Sequence, residues 1–227
     1  MGILIIEETE NNMSKKAIVT GYSSGIGKAI CETLELNGFE IIKLKARLED
    51  VKSLEEEIKT LLKNNDIDVL INCAGIGVFV PHEEITISKI KEIIDINLAA
   101  PIILTNLLLR SLKKTQGHVI NITSIEATKH SKFSALYTAT KSGLRDFGLC
   151  LFEEVRKSGV KVTSINPDLT KTNFFENLQF EPSSKEETYL LPESIAKSVE
   201  NILNFDGVIT DLTVRPLKFD IKRKSKK

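Results

Sequence analysis

The chain has no excess of either charge: 31 lysines and arginines stand against 31 aspartates and glutamates in 227 residues. That balance excludes a global field drawing the protein to nucleic acid or to an anionic membrane. Long hydrophobic runs are also lacking. The longest, such as Ala99 to Leu104, fall far short of the roughly 20 residues that span a bilayer, so no membrane partner is expected. Cysteine is scarce and odd in number. Cys31, Cys73 and Cys150 lie in apolar, patterned segments at no metal-like spacing, which predicts buried free thiols in a reducing compartment, the cytoplasm by default. His82, His118 and His130 share no metal spacing and no triad logic; each reads as a surface or loop residue, and no metal is expected. Glu153 and Glu154 read as a solvated helix face.

The ends carry little. The opening MGILIIEETENNM lacks a basic region before its apolar patch and continues acidic, unlike a signal peptide. Ile6 and Glu7 stand where an acylated Gly2 would want Ser or Thr. Met13 fits as a natural start, with residues 1–12 a disordered extension. Lys222–Lys227, KRKSKK, reads as a solvated basic tail. Residues 13–221 remain as one domain, a length that builds one well-buried core.

Within that span two kinds of segment alternate. Short apolar or β-branched runs occur at Lys15–Thr20, Glu40–Leu44, Asp68–Asn72, His118–Thr123, Val160–Asn166 and Val208–Val214. Helical periodicity occupies Gly25–Leu36, Val51–Lys63, Ser88–Lys113, Ser134–Lys157 and Pro192–Leu203. Near-continuous apolar strands alternating with helices predict an α/β fold: a doubly wound, mostly parallel sheet of Rossmann type in three layers. The longest irregular stretch, Thr172–Leu191, follows a strand at the carboxyl edge of the sheet, where a substrate-covering flap belongs.

The first strand runs directly into Thr20-Gly21-Tyr22-Ser23-Ser24-Gly25-Ile26-Gly27 and then a helix. Glycines there allow a tight turn, and the helix N-terminus offers unpaired N–H groups to a pyrophosphate. Gly21, Ser23, Ser24, Gly25, Ile26 and Gly27 are the expected cofactor turn. Farther along, Tyr137 and Lys141 lie four apart on one helix face, and Ser124 ends an apolar strand thirteen residues before Tyr137. Free tyrosine ionises near pH 10, and a neighbouring ammonium stabilises the phenolate and lowers that value.

In order along residues 15–216, these elements resemble the short-chain dehydrogenase/reductase family. The glycine spacing is Gly-x3-Gly-x-Gly; Asn72-Cys73-Ala74-Gly75 resembles the family's Asn-Asn-Ala-Gly; Asn97 sits in the long fourth helix; and Pro167 to Thr172 resembles Pro-Gly-x-x-x-Thr. The resemblance implies an NAD(P)-dependent enzyme that reversibly reduces a carbonyl. Tyr137 would be the general acid/base, Ser124 the partner of the substrate oxygen, and Lys141 the group that lowers the tyrosine pKa and binds the nicotinamide ribose. Asn97 would hold a water relaying protons to Lys141, and Thr172 would bond the nicotinamide carboxamide. Asn72, Ala74, Gly75 and Pro167 complete the expected cofactor site. A small-molecule carbonyl or alcohol is the implied partner. The two long helices carry more apolar positions than one sheet face buries, and the family pairs them in a homodimer or homotetramer. The C-terminal portion resembles members acting on 3-hydroxy acids and small carbonyls.

Two departures stand out. Asp168 replaces the family's glycine, and only 45 residues separate Gly27 from Asn72, where family members fit a strand, a helix and a further strand. Ala46–Asp50 stands in for a whole helix–strand unit on the adenosine side, leaving six strands or a vestigial third. Lys43, Lys45 and Arg47 precede the first acids, Glu49 and Asp50, and Lys45 occupies the place of the discriminating acid, which favours NADP over NAD. A catalytically weak nucleotide sensor or scaffold is the alternative this trimming keeps open. A sugar-nucleotide epimerase or dehydratase would share Tyr-x3-Lys but needs a larger C-terminal domain and a different glycine spacing.

Overall fold

The computed structural model describes residues 14–224; the expected extension, residues 1–12, lies outside them. Six strands form one parallel sheet: β1 (Lys16–Val19), β2 (Glu40–Ile42), β3 (Val69–Asn72), β4 (His118–Ile122), β5 (Lys161–Pro167) and, after a short β6 (Phe180–Pro182), β7 (Asp211–Val214). Their spatial order is β2-β1-β3-β4-β5-β7. The chain therefore reverses direction across the sheet at β1, and a crevice opens above the carboxyl ends of β1 and β3. Every run predicted as a strand is one.

Side-chain alternation explains the three layers. Ala17, Val19, Val69, Ile71 and Ile120 face α1 (Gly25–Leu36) and α6 (Pro192–Leu203), where Ile30, Leu34, Ile195 and Val199 bury them. Ile18, Leu70, Val119 and Val162 face the other way, onto α2 (Val51–Leu61), α4 (Ala100–Thr115) and α5 (Ala135–Val155). A strand buried on both faces must be apolar at nearly every position, and these are.

The third and fourth helices were expected as one. They are α3 (Ile87–Ile94) and α4, joined by a π-turn at Asp95–Ala99. Together residues 87–115 are long and apolar enough to cross a membrane by length and composition, yet Leu104, Leu108 and Leu112 on one side of α4 are fully buried against the sheet. Between β2 and β3 stands α2 alone, so the six-strand alternative holds.

Three expectations need correction. Lys222 and Arg223 do not begin a solvated tail: β8 (Ile221–Arg223) pairs antiparallel with β6, and Lys224 donates to the Glu176 carbonyl at 3.0 Å. His118 is buried, its Nε2 2.8 Å from Thr163 Oγ1, and burial pulls its pKa down to about 3. Cys150 is exposed rather than buried, whereas burial pushes the Cys31 and Cys73 thiols up to about 11 and about 12.

Candidate active site

A cleft of about 1130 Å³ runs along the carboxyl edge of the sheet. One end is the turn between β1 and α1. Gly21, Ser24, Gly25, Ile26 and Gly27 line it. A Cβ at Gly27 would lie 2.2 Å from the Gly21 carbonyl oxygen, so only glycine lets the turn close this tightly. Ser24 sits at the N-cap of α1, but its side chain caps nothing. The first N–H groups of a twelve-residue helix are thus left to the cleft, the arrangement that receives an anion. Thr20 at the end of β1 accepts bonds from the backbone of Cys73 (2.9 Å) and Ala74 (3.0 Å), fixing the two strand ends to each other. Ser23 is exposed and outside the lining.

At the other end the cleft meets Ser124, Tyr137 and Lys141. The thirteen-residue spacing works because β4 ends at Ile122 and α5 returns along the sheet, presenting one face with a four-residue repeat. Lys141 Nζ donates to the Ile122 carbonyl at 3.0 Å and stands 6.0 Å from the Tyr137 ring centroid. Ser124 Oγ accepts from the Glu126 N–H at 3.1 Å. Thr123, the neighbour that a one-residue slip would have substituted, turns away: its hydroxyl donates to the Ile165 carbonyl at 2.9 Å and to Asn166.

The electrostatics differ from the sequence expectation. Burial is the largest effect on Tyr137 and pushes its phenol above the ordinary value of 10; the Glu126 carboxylate adds to this and a hydrogen bond with Ser124 opposes it. Burial also pulls the Lys141 ammonium down from 10.5 to about 8, leaving it a weakened cation. In the protein alone, desolvation outweighs the lowering of the phenol expected from Lys141.

Asn97 is completely buried within the π-turn. Its Nδ2 donates to the Ile76 carbonyl (2.8 Å) and to Thr140 Oγ1 (3.3 Å), and its Oδ1 accepts the Ile76 N–H (2.9 Å). The side chain is thus committed to holding the segment after Gly75 in place. A Cβ at Gly75 would meet both Lys141 Nζ (3.1 Å) and Asn97 Oδ1 (3.4 Å), so the three residues converge. Asn72 lies beneath the cleft floor, bonded to Asn121 Oδ1 at 2.9 Å. Ala74, Pro167 and Thr172 line the cleft, and Thr172 packs on Gly25 while capping Phe174 N–H at 3.3 Å.

A family model described as short chain dehydrogenase matches residues 15–65 and 49–182. This chain belongs to the short-chain dehydrogenase family. An uncharacterized oxidoreductase of Staphylococcus saprophyticus is 31% identical over 89% of this chain and 97% of its own length. Among solved structures, an alcohol dehydrogenase from Thermococcus sibiricus complexed with 5-hydroxy-NADP superposes with a TM-score of 0.81 at 26% identity, over 89% of this chain and 97% of that one. A 4-hydroxyisoleucine dehydrogenase complexed with NADH gives 0.79 at 22% identity over the same shares, a likeness of fold. The two family-model segments overlap at 49–65, on α2, beside the interval that is short.

After β2 the two expected discriminators differ: the Arg47 side chain is engaged, whereas Lys45 is held through its backbone and its side chain is exposed. The backbone N–H groups of Lys45 and Ala46 are held by the Glu57 carboxylate at 2.7–3.1 Å, and the Arg47 guanidinium pairs with Glu49. Neither Lys45 nor Arg47 lines the cleft. Lys43, also outside the lining, stands over the Tyr22 ring in the turn between β1 and α1, 5.8 Å from its centroid.

Sequence reading missed two features. Asp168 is buried, with Oδ1 accepting the Leu169 N–H (2.9 Å) and Oδ2 paired with Arg215 Nε (2.9 Å), so it ties the cleft floor to the C-terminal segment. The flap is itself structured: β6 pairs with β8, and Lys185–Asp220 and Lys222–Glu181 ion pairs (both 3.2 Å) join the same two segments. The opposite net charges of 181–187 and 218–224 were the available signal.

Proposed function

We propose that this protein is an NAD(P)-dependent oxidoreductase that interconverts a carbonyl and an alcohol, with Tyr137 as general acid/base. One observation carries the reading: a single cleft joins the uncapped N-terminus of α1 to a buried Tyr137, Lys141 and Ser124. The residues present fit a dinucleotide. Gly21 to Gly27 would receive its pyrophosphate, Lys141 and Thr172 its nicotinamide end, and Lys43 beside Tyr22 its adenosine end, where a cation favours a 2′-phosphate and hence NADP over NAD. When bound, the nicotinamide supplies or accepts the hydride.

The chain's own residues handle the oxygen. Ser124 donates its hydroxyl hydrogen to the substrate oxygen and so stabilises the negative charge that develops there. Tyr137 gives its phenolic proton to that oxygen during reduction and takes it back during oxidation. The Lys141 ammonium, a neighbour of the ring, stabilises the phenolate this leaves, and Asn97 keeps the Gly75–Ile76 backbone where Lys141 has room.

The half-exposed apolar side chains Leu98, Ile102, Ile103, Phe147 and Phe152 around α4 and α5 support a homodimer or homotetramer closed through those helices. A small-molecule substrate and a cytoplasmic setting complete the proposal. The test is titration with NADPH and NADH followed by a carbonyl screen, with Tyr137→Phe as control. Turnover that Tyr137→Phe abolishes is expected. Failure to bind either cofactor would sink the reading, and binding without turnover would favour the sensor.

A further inference from the structure

Ten phenylalanines occur in the chain, and six of them line the catalytic cleft: Phe79, Phe133, Phe174, Phe175, Phe180 and Phe219. They come from four separate stretches of chain, so their convergence is a property of the fold. Phe79 and Phe174 flank the Tyr137 ring, with centroids 5.1 and 5.8 Å from it at tilts of 51° and 52°. Phe180 meets Phe79 edge-on at 5.2 Å, and Phe175 meets both Phe174 (5.4 Å) and Phe180 (5.7 Å) in the same manner. Phe174 reaches this position because residue 77 is glycine; a Cβ there would lie 2.5 Å from its ring tip.

The mouth is aromatic as well. Phe133 is 45% exposed and Phe219 60% exposed, an unfavourable disposition for two large apolar rings. Each has an ammonium over its face, Lys132 at 4.7 Å from Phe133 and Lys129 at 5.8 Å from Phe219. Phe133 also has φ +65°, a left-handed conformation that a bulky side chain adopts only when its surroundings hold it there. Four residues later comes Tyr137. A strained, exposed ring at the entrance to the catalytic helix belongs to a binding edge rather than to the core.

Resting on the carbonyl–alcohol reading of the same cleft, we infer that the substrate class is aryl ketones and aldehydes. Their planar rings would stack between the Phe79–Phe174 wall and the mouth residues Phe133 and Phe219. This departs from the small carbonyls and 3-hydroxy acids suggested by the C-terminal resemblance. An aromatic wall rewards a planar apolar body by offset and edge contacts.

The experiment compares NADPH-dependent reduction of 2-acetylnaphthalene, 2-butanone and acetoacetate, together with calorimetric binding of 2-acetylnaphthalene to the NADP-loaded protein. The aryl ketone is expected to have a kcat/KM at least about tenfold above either small ketone. Phe133→Ala and Phe219→Ala, both at exposed rings, should each raise the aryl KM and dissociation constant about two- to tenfold while leaving 2-butanone unchanged. Gly77→Ala, which displaces the Phe174 and Phe79 rings beside Tyr137 and so affects turnover of every carbonyl, is read by binding alone and should raise the aryl dissociation constant. Small ketones reduced as well as the aryl ketone, or aryl binding indifferent to all three variants, would overturn the inference while leaving the oxidoreductase reading intact. Aryl binding that the variants weaken, in a protein that turns over no carbonyl, would uphold the pocket and refute the reaction.

Discussion

The two ends of the cleft are built in different ways. At the catalytic end the side chains are buried and hydrogen-bonded to the backbone: Lys141 to the Ile122 carbonyl, Ser124 to the Glu126 N–H, and Asn97 to both backbone groups of Ile76. At the adenosine end the side chains of Lys43, Lys45 and Arg47 are exposed, and the short link after β2 is fastened chiefly by one carboxylate, Glu57. Buried polar groups must be satisfied and so tolerate few alternatives, while solvated charges can be rearranged at little cost. A shortened adenosine side is therefore compatible with a catalytic end left whole. It is also where cofactor preference is open to change.

The contrast can be broken most decisively at Tyr137. Tyr137→Phe removes the only proton the proposed mechanism delivers and keeps the ring against Phe79 and Phe174. A drop in kcat of about 10²- to 10⁴-fold is expected, with NADPH affinity, read by fluorescence titration, within about threefold of the parent. A variant retaining most of its kcat would move the chemistry elsewhere. Ser124→Ala comes next. Losing one donor to the developing oxyanion should cost about 10²- to 10³-fold in kcat with little change in cofactor affinity.

The catalytic end was also the more legible in the sequence, for a physical reason. Helical spacing alone puts Tyr137 and Lys141 on one face, and an apolar strand ending in Ser124 points to the sheet edge. Asn97 was found as a residue, but its π-turn was not, because no composition marks one. His118 was misjudged because its burial depends on Thr163, 45 residues away. The strand at Ile221–Arg223 reads as a polar tail until β6 lies beside it. The aromatic wall was invisible for a similar reason: its members are scattered from Phe79 to Phe219, and no period joins them. Lys45 and Arg47 are placed by position along the chain, and no spacing marks the Glu57 contact at the Lys45 backbone or the Glu49 partner of Arg47.

A pH profile sharpens the comparison at a smaller scale. Burial lowers the Lys141 pKa, so its protonated fraction is complete well below pH 8 and falls as pH rises through about 8. Carbonyl reduction uses the protonated site. Its kcat/KM, which reports groups of the free enzyme, should hold steady from pH 6 to 7 and decline toward tenfold per unit above about 8. A profile flat to pH 10 would mean that Lys141 keeps its proton throughout that range.

The smallest effects belong to the adenosine end, and there they discriminate between neighbours. Lys43 and Lys45 are both exposed and both outside the cleft lining, but Lys43 stands over Tyr22, in the turn that would hold the pyrophosphate. Lys43→Glu should weaken NADPH binding roughly five- to tenfold, the scale of one charge-assisted contact, and leave NADH within about twofold. Lys45→Glu, with its backbone N–H still held by Glu57, should change either affinity by less than about twofold. Titrating both variants with both cofactors settles the matter. A larger loss of NADPH affinity in Lys45→Glu would return the discriminating role to the position the sequence first suggested, and equal losses in the two would mean that the adenosine end reads net charge rather than a single contact.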